Sequence, residues 1–299
     1  MFQNLDNDSP GATIIPLHPR PVDSAARPDF VPTVAENLCT VRSNEWTNAE
    51  YKHLVLEAPP VALAAKPGQF FHLMCPAIDG EPPYLRRPMS LYRVDPAVRH
   101  VEFLYKVQGV GTRGLASLQP GGTLDAFGPV GKGFEVLSSC TRLLVLARGV
   151  GLATMAPLAE YAGRLGCQVT AILSARSPSL VMSQDYLRSV GADVVEVHDE
   201  NGSSSLENIE RLVRGMHAEK AFGLFTTCGS NRLLQLLKRL GQELEVPGQV
   251  ALEQHMGCAL GMCFSCVKPF HKHAGCAYTS YRRVCWDGPV FDVQETVSW

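Results

Sequence analysis

The chain has 299 residues, which is long for one ordinary domain, so two or three domains are expected. Hydrophobic residues make up 45% of it and charged residues 19%, the balance of a globular protein with a sizeable core. The formal net charge of −2 argues against general binding to nucleic acid or to anionic membranes, both of which depend on strongly basic surfaces.

Residues 1–32 are rich in Pro, Asp, Asn and Ser and lack hydrophobic periodicity, so we predict a flexible N-terminal extension. This segment has no basic region followed by an apolar run and does not resemble a signal peptide. No stretch of the chain approaches the about 18 consecutive apolar residues that indicate a membrane span. A cytoplasmic protein is therefore expected.

Residues 33–137 contain short runs of strand-like composition, at 51–57, 69–74, 89–94 and 101–107. Breaks rich in Gly and Pro separate these runs, namely Pro67-Gly68, Asp79-Gly80 and Pro120-Gly121-Gly122. Short strands at this spacing are typical of a small antiparallel barrel or sandwich. We predict such a β domain for this part of the chain.

Two motifs in this domain suggest a cofactor. Arg86-Arg87-Pro88-Met89-Ser90 opens a predicted strand, and a guanidinium beside a hydroxyl suits a pyrophosphate and a flavin ring. Taken alone, the motif is weak, and a solvated basic turn would be the favoured interpretation. Gly109-Val110-Gly111-Thr112 adds a Gly-rich turn before a helix, where amides and a hydroxyl can bind phosphate.

Strands and helices alternate between residues 138 and 244. Strands are expected at 142–147, 168–174, 193–197 and 221–227, and helices at 152–165, 184–190, 206–216 and 231–240. This alternation implies a parallel sheet covered on both faces by helices. The predicted class of the second domain is therefore α/β.

The carboxyl ends of two strands in this domain carry candidate nucleotide-binding residues. Gly149-Val150-Gly151 joins the first strand to its helix, the position of a dinucleotide pyrophosphate in doubly wound folds. The loop is not Gly-x-Gly-x-x-Gly, so the match is weak on its own. Cys228-Gly229 ends the last strand at the same edge, although a lone Cys228 is more often a buried core thiol.

The last segment, residues 245–299, contains half of the ten cysteines, all between positions 258 and 285. Cys258, Cys263 and Cys266 have the C-x4-C-x2-C spacing of plant-type ferredoxins, which requires one further, distant cysteine. Small residues in the loop, including Gly257, Ala259 and Gly261, let the backbone approach a cluster and donate N–H groups. We predict a small [2Fe-2S] domain.

The sequence leaves two alternatives for this site. A zinc site is one, because His271, His273 and Cys276 lie nearby, but three cysteines in a single loop favour the cluster. The fourth ligand is either Cys276 or Cys285. Cys276 lies in a polar, His-rich stretch that predicts a mobile hairpin tip, whereas Cys285 lies where an apolar strand meets a turn. We therefore favour Cys285.

In this order the motifs resemble the ferredoxin–NAD(P) reductase family, and more narrowly the electron-transfer subunits of class 1B dihydroorotate dehydrogenases. The resemblance covers about residues 33–299, and its most specific part is the cluster loop followed by Cys285-Trp286-Asp287-Gly288-Pro289. It implies an FAD-binding barrel at 33–137, an NAD(P)-binding domain at 138–244 and a cluster domain at 245–299.

The resemblance also implies roles for individual residues. The expected FAD contacts are Arg87, Pro88, Met89, Ser90, Leu104, Tyr105, Lys106, Gly111 and Thr112. The expected nicotinamide-nucleotide contacts are Gly149, Gly151, Cys228 and Gly229, and the expected cluster ligands are Cys258, Cys263, Cys266 and Cys285.

The implied function is that of an oxidoreductase subunit that passes electrons between a partner flavoenzyme and NAD(P) through the cluster and FAD. The implied partner is an FMN-containing catalytic subunit in a heterotetramer, which carries the substrate chemistry. Two alternatives stay open: a reductase subunit of a different oxidoreductase, and a subunit that keeps the fold without nicotinamide activity.

One departure from the family bears on the nucleotide. Ala147 and Arg148 stand where the family has glycines, and their side chains either crowd the pyrophosphate or, for Arg148, pair with it. Ser174 and Arg176 follow the second strand, with no acidic residue there to bind a ribose 2′-hydroxyl. The choice between NADH and NADPH therefore stays open.

Overall fold

A computed structural model describes residues 33–78, 80–272 and 279–297. The first part is an all-antiparallel sheet of seven strands in the order β4-β3-β7-β1-β2-β6-β5. Its strands are β1 (Ala35–Trp46), β2 (Tyr51–Glu57), β3 (Phe70–Leu73), β4 (Arg87–Ser90), β5 (Arg93–Asp95), β6 (His100–Lys106) and β7 (Thr123–Val130), with helices α1 (Pro60–Leu63) and α2 (Val110–Ala116) between them.

This sheet closes into a barrel because its two end strands, β4 and β5, follow each other in the chain. Only Leu91 and Tyr92 separate them. The Leu91 amide bonds to the Gln69 carbonyl beside β3, and the Tyr92 amide bonds to the Glu102 carbonyl on β6. One continuous segment thus hydrogen-bonds to both ends of the sheet.

The second part is a six-stranded sheet in the order β10-β9-β8-β11-β12-β15, in which every pair is parallel except β12 with β15. Its elements are β8 (Arg142–Arg148), α3 (Gly151–Arg164), β9 (Gln168–Ala175), α4 (Gln184–Ser189), β10 (Asp193–His198), α5 (Leu206–Glu219), β11 (Leu224–Cys228), α6 (Asn231–Glu243), β12 (Gly248–Ala251) and β15 (Val290–Asp292).

Alternate residues of the central strand β8 pack on opposite faces of this sheet. Leu143 and Val145 join the apolar core under α3 and α4. Leu144 and Leu146 join the core under α5 and α6. A strand buried on both faces explains the continuous apolar run in the sequence.

The cysteine-rich segment is packed against both other parts. It contains the hairpin β13 (Val267–His271) and β14 (Thr279–Arg283), followed by α7 (Val284–Asp287) and β15, which returns to the nucleotide-type sheet. The Phe270 and Phe291 rings lie 4.4 Å apart, in a core that also contains Phe70 of the barrel. Residues 33–299 thus form one compact unit, and the three predicted domain boundaries stay predictions.

The predicted fold class, an antiparallel barrel followed by an α/β unit, is confirmed. The predicted flexible extension, residues 1–32, lies outside the described residues. Within the part of the chain that the structure describes, no helix is long and apolar enough to cross a membrane.

The barrel core provides a matched pair of Leu→Ala substitutions on neighbouring strands. Leu54 on β2 is fully buried, whereas Leu38 on β1 is 70% exposed. Leu54→Ala is expected to lower the free energy of unfolding by about 2–5 kcal/mol, because it removes buried contacts and leaves a cavity. Leu38→Ala is expected to change it by less than about 0.5 kcal/mol. Urea unfolding of both variants checks this, and equal losses would contradict the assigned core.

Candidate functional site

Three of the predicted cluster cysteines lie in the loop between β12 and β13, and the fourth, Cys285, lies in the short helix α7. Cys266 and Cys285 are buried, Cys258 is half-buried and Cys263 is exposed. The Cys285 amide donates a hydrogen bond to the Cys266 sulfur over 3.4 Å, which joins the loop to the helix. Cys276 lies outside the described residues.

The four thiols interact as two pairs. Hydrogen bonds from Ser265, supplemented by the Cys258 thiol, lower the pKa of Cys263 to about 6. Burial, followed by the neighbouring Cys266 thiol, raises the pKa of Cys285 to about 12. The opposite shifts have different causes, since Cys263 is exposed and accepts hydrogen bonds whereas Cys285 is buried. Cys258 is thus paired with Cys263, and Cys266 with Cys285.

The sequence leaves zinc as the alternative to a [2Fe-2S] cluster at these cysteines. Within residues 33–78, 80–272 and 279–297, no three His, Cys, Asp or Glu side chains surround a point that one metal ion could occupy. A structural zinc ion needs four ligands around one centre. In a [2Fe-2S] cluster, two bridged irons share four thiolates. His273, one of the possible zinc ligands, lies outside the described residues.

The loop backbone is shaped to surround the sulfurs. The amides of Leu260 and Cys263 both donate to the Cys258 sulfur, over 3.4 and 3.5 Å. Such N–H bonds stabilise thiolate ligands. Gly261 has a φ of +74°, and a Cβ there would lie 2.8 Å from the Cβ of Trp286, so the loop requires glycine at this position.

Arg283 holds the loop against α7. Its guanidinium donates to the Gly261 carbonyl over 3.3 Å and forms hydrogen bonds of 3.1 Å with each carboxylate oxygen of Asp287. It also lies 5.7 Å from the centre of the Phe264 ring. These contacts keep the two cysteine-bearing segments in a fixed relation.

A cleft of about 490 Å³ lies where the barrel meets the α/β unit. This volume is in the range of small-molecule sites. Seven of the predicted FAD contacts line it: Arg87, Pro88, Met89, Ser90, Tyr105, Lys106 and Thr112. The barrel strands β4 and β6 provide most of these residues, which places them on rigid backbone.

The two other predicted FAD contacts lie outside the wall of the cleft. Gly111 lies beneath the Arg87 side chain, where a Cβ would come within 2.7 Å of the Arg87 Nε. Leu104 is buried in the core between the barrel and the α/β unit. The Thr112 hydroxyl accepts a hydrogen bond from the Gly109 amide, so it also shapes the turn before α2.

The predicted nucleotide loops lie against each other at the carboxyl edge of the parallel sheet. A Cβ on Gly151 would lie 2.5 Å from the Cys228 carbonyl oxygen, and one on Gly229 would collide with the Arg148 carbonyl. The two loops therefore need glycine for close approach. Cys228 is buried, and burial raises the pKa of its thiol.

A cavity of about 250 Å³ opens beside these loops and adjoins the flavin-type cleft. Lys106, Val150 and Glu253 line both spaces. The remaining walls of the smaller cavity come from Tyr51, Arg148, Gly149, Ala175, Arg176, Leu180 and Gly229. A nucleotide bound there lies next to a ring bound in the larger cleft.

Sequence reasoning missed Glu253. It follows β12 by two residues and lines the flavin-type cleft, the nucleotide-type cavity and a third small cavity beside Gly229 and Ser230. Burial raises the pKa of its carboxyl. The sequence does contain a signal for Glu253: an acidic residue at the carboxyl end of a parallel strand lies at the sheet edge where ligands bind.

The two residues that replace family glycines directly precede the nucleotide loop. Ala147 is buried in the core. The Arg148 guanidinium turns across β9, donates to the Ser174 hydroxyl over 2.8 Å, and pairs with both carboxylate oxygens of Asp199, over 3.1 and 2.6 Å. The Arg148 guanidinium is thus bound by Ser174 and Asp199, and its effect on a pyrophosphate, crowding or pairing, stays a prediction. Asp199 is a second residue that sequence reasoning missed.

The cysteine loop adjoins the flavin-type cleft. Met256 lines the cleft and precedes Cys258 by two residues. Phe70 also lines the cleft and packs in the same core as Cys266 and Cys285. The thiols, the cleft and the nucleotide-type cavity thus follow one another through the molecule.

Large apolar side chains are exposed around the cysteine loop. On the loop and on α7 these are Leu260, Met262, Phe264 and Trp286. Met74, Tyr84 and Leu85 are exposed on the neighbouring barrel segment, which shares a surface hollow with Cys258 and Leu260. We name these seven residues the apolar rim. Concentrated apolar exposure of this kind marks a surface for another protein.

Sequence comparisons support this assignment. Residues 253–297 match the iron–sulfur cluster binding domain of dihydroorotate dehydrogenase B. The chain is 30% identical over 245 residues to the dihydroorotate dehydrogenase B (NAD(+)) electron transfer subunit of Desulforamulus reducens, covering 82% of this chain and 92% of the relative. It is 33% identical over 259 residues to the corresponding Bacillus velezensis subunit, covering 86% and 96%.

A solved structure confirms the fold. The NADH-dependent reduced ferredoxin–NADP oxidoreductase superimposes with a TM-score of 0.72 at 22% identity, covering 87% of this chain and 90% of the other. A ferredoxin reductase of carbazole 1,9a-dioxygenase superimposes with a TM-score of 0.59 over 73% of this chain and 68% of the other.

The choice between Cys285 and Cys276 can be tested with two Cys→Ser variants. Cys285→Ser is expected to abolish cluster loading, because one member of the Cys266–Cys285 pair is lost. Cys276→Ser is expected to keep the iron and sulfide content of the wild type. Iron and sulfide analysis after anaerobic purification measures both. Loss of the cluster in Cys276→Ser alone would transfer the ligand role to Cys276.

Proposed function

The chain belongs to the family of dihydroorotate dehydrogenase B electron-transfer subunits, and from this we propose that it passes electrons between a catalytic partner subunit and NAD(P). It is an oxidoreductase subunit that carries FAD and a [2Fe-2S] cluster. The single observation that carries the proposal is the continuity of three sites: the paired cysteines, the flavin-type cleft and the nucleotide-type cavity.

The cofactors supply the redox chemistry, and the chain positions the cofactors and sets the electrostatic environment around them. When bound, a flavin exchanges one or two electrons, an iron–sulfur cluster exchanges one, and a nicotinamide exchanges two as a hydride. We assign the cluster to Cys258, Cys263, Cys266 and Cys285. The cysteine loop donates N–H bonds to the Cys258 sulfur and α7 donates one to the Cys266 sulfur, which orients these two ligands.

The flavin cleft combines a cation and a hydroxyl on one strand. We assign Arg87 to the pyrophosphate, because its guanidinium crosses Gly111 beside the N-terminus of α2. Ser90, at the end of β4, also lines the cleft and contributes a hydroxyl group to it. Glu253 lines both spaces and contributes a carboxyl group to each.

The apolar rim is our proposed docking surface for the catalytic subunit. Leu260, Met262 and Phe264 of this rim lie within three positions of the exposed Cys263 in the cysteine loop, so a partner seated there brings its own redox centre close to the cluster. The finer features of that partner are part of the proposal: it carries FMN, performs the dihydroorotate chemistry and forms a heterotetramer with this chain. A location in the cytoplasm stays a prediction.

The structure bears on one of the two alternatives. A subunit without nicotinamide activity was suggested by Arg148, whose side chain would block the pyrophosphate loop. Since that side chain turns to Asp199 and Ser174, this observation no longer favours the alternative. The other alternative, a reductase that serves a different oxidoreductase, uses the same three sites and differs only in the partner that co-purifies.

The nucleotide-dependent function is tested on the anaerobically purified chain. NADH is expected to bleach the flavin absorbance and then produce the EPR signal of a reduced cluster. The Cys285→Ser variant is the matched control, because it should keep flavin bleaching and lose the cluster signal. A flavin that neither NADH nor NADPH reduces would contradict the proposal.

The docking surface is tested by placing a charge on the apolar rim. Met262 is 78% exposed on the cysteine loop. Met262→Glu is expected to weaken binding of the catalytic subunit by about tenfold or more, because an unpaired charge would be buried in the interface. Leu137→Glu is the control, since Leu137 is 70% exposed but precedes β8. Titration calorimetry measures both, and equal affinities would contradict this surface.

A further inference from the structure

An ion pair lies across the end of β9, the second strand of the parallel sheet in chain order. Arg148 at the end of β8 reaches over Ser174 on β9 to Asp199, which directly follows β10. In doubly wound folds an acidic residue at the end of the second strand binds the ribose 2′-hydroxyl of NAD, whereas an arginine there accommodates the 2′-phosphate of NADP. Here an arginine from the end of β8 and an acid that follows β10 meet over the end of β9, and they bind each other.

The pair is bidentate and both partners have further hydrogen bonds. The two guanidinium nitrogens of Arg148 lie 3.1 and 2.6 Å from the two carboxylate oxygens of Asp199. Ser174 accepts a hydrogen bond from Arg148, and the Ser204 hydroxyl donates to Asp199. The Asp199 side chain is nevertheless 42% exposed, so a ligand at this edge can reach it.

The carboxyl group of Asp199 is ionised under physiological conditions. Hydrogen bonds from Arg148 and then from Ser204 hold its pKa at about 2. Arg232, at the start of α6, adds a smaller favourable electrostatic contribution. The carboxylate therefore presents a full negative charge beside the nucleotide-type cavity, which Arg148 lines.

We propose that Asp199 selects nucleotides with a free ribose 2′-hydroxyl, by engaging Arg148 and repelling a 2′-phosphate. This deepens the proposed function and rests on it, since it assumes that a nicotinamide dinucleotide binds at this sheet edge. Asp199 and Arg148 are thus specificity-determining residues toward the adenosine half of the ligand. They have no part in the redox chemistry.

The selectivity follows from the different hydrogen-bonding and charge requirements of a ribose 2′-hydroxyl and a ribose 2′-phosphate. A 2′-hydroxyl is neutral and needs one acceptor, which a carboxylate oxygen supplies. A 2′-phosphate carries about −1.5 to −2 charges and needs a cation. For a 2′-phosphate to bind Arg148, the bidentate pair between Arg148 and Asp199 would have to break. The Asp199 carboxylate would then be left unpaired beside the phosphate dianion.

A second arginine at this edge, Arg176, follows β9 and also forms an ion pair, with Glu50. Glu50 in turn bonds Lys106 over 2.8 Å, so one carboxylate is shared by two cations and this group keeps a net positive charge. The selection proposed here therefore depends on the Arg148–Asp199 pair and not on Arg176.

The test separates this inference from the proposed function by using adenosine fragments. The probes are 5′-AMP and adenosine 2′,5′-bisphosphate, titrated by calorimetry into the FAD-loaded chain. Asp199→Asn keeps the size of the side chain and releases Arg148. It is expected to shift the affinity ratio of the two probes toward the bisphosphate by about 10–100-fold, the range of a charge-assisted hydrogen bond.

Two further variants make the result specific. In the Arg148→Ala/Asp199→Asn double variant the gain should disappear, because the released cation is gone. Asp193→Asn is the matched control: Asp193 lies at the opposite end of β10, bonds Gln168, and should leave the ratio unchanged. Arg148→Ala alone should shift the affinity ratio of the two probes toward 5′-AMP. This substitution tests the same selection independently of Asp199→Asn.

The outcomes are distinguishable. An unchanged ratio in Asp199→Asn, or a gain that persists in the double variant, would overturn the role of this ion pair. If both probes bind the wild type equally well, the selection itself is refuted. If NADH also fails to reduce the flavin and neither probe binds any variant, the proposed function falls, and this inference falls with it.

Discussion

The interaction on which the rest of the molecule depends is the pairing of Cys266 with Cys285. It joins the cysteine loop to α7, 19 residues further along the chain, through an amide hydrogen bond to sulfur. Because α7 leads directly into β15, the same contact ties the loop to the nucleotide-type sheet. On its other side the loop reaches the flavin-type cleft through Met256. One short segment thus fixes the cluster relative to both other cofactor sites, which an electron relay requires.

Local features of the structure were predictable from the sequence. Strand β2 has the predicted limits, 51–57, because its apolar residues alternate in the barrel wall. Four strands and four helices of the α/β unit were predicted to within a few residues, since buried strands between amphipathic helices give strong patterns, but strands β12 and β15 of the same sheet were missed. The C-x4-C-x2-C spacing identified the loop, because close spacing of ligands around one cluster is itself local chemistry.

Features created by long-range pairing were not predictable. Strand β1 (Ala35–Trp46), the longest of the barrel, was missed because polar residues interrupt its sequence and its partners β2 and β7 define it. Asp199 and Glu253 were missed for a related reason: parallel topology brings the ends of separate strands to one edge. The direction of the Arg148 side chain depends on Asp199, 51 residues away, and no local pattern could reveal it.

The central claim is that four paired thiolates hold one two-iron cluster beside a flavin. Its most direct test is metal and sulfide analysis of the anaerobically purified chain, combined with EPR after reduction. The account predicts two irons and two sulfides per chain, with the signal of one unpaired electron in the reduced form. One zinc ion per chain, with no sulfide and no signal, would contradict it.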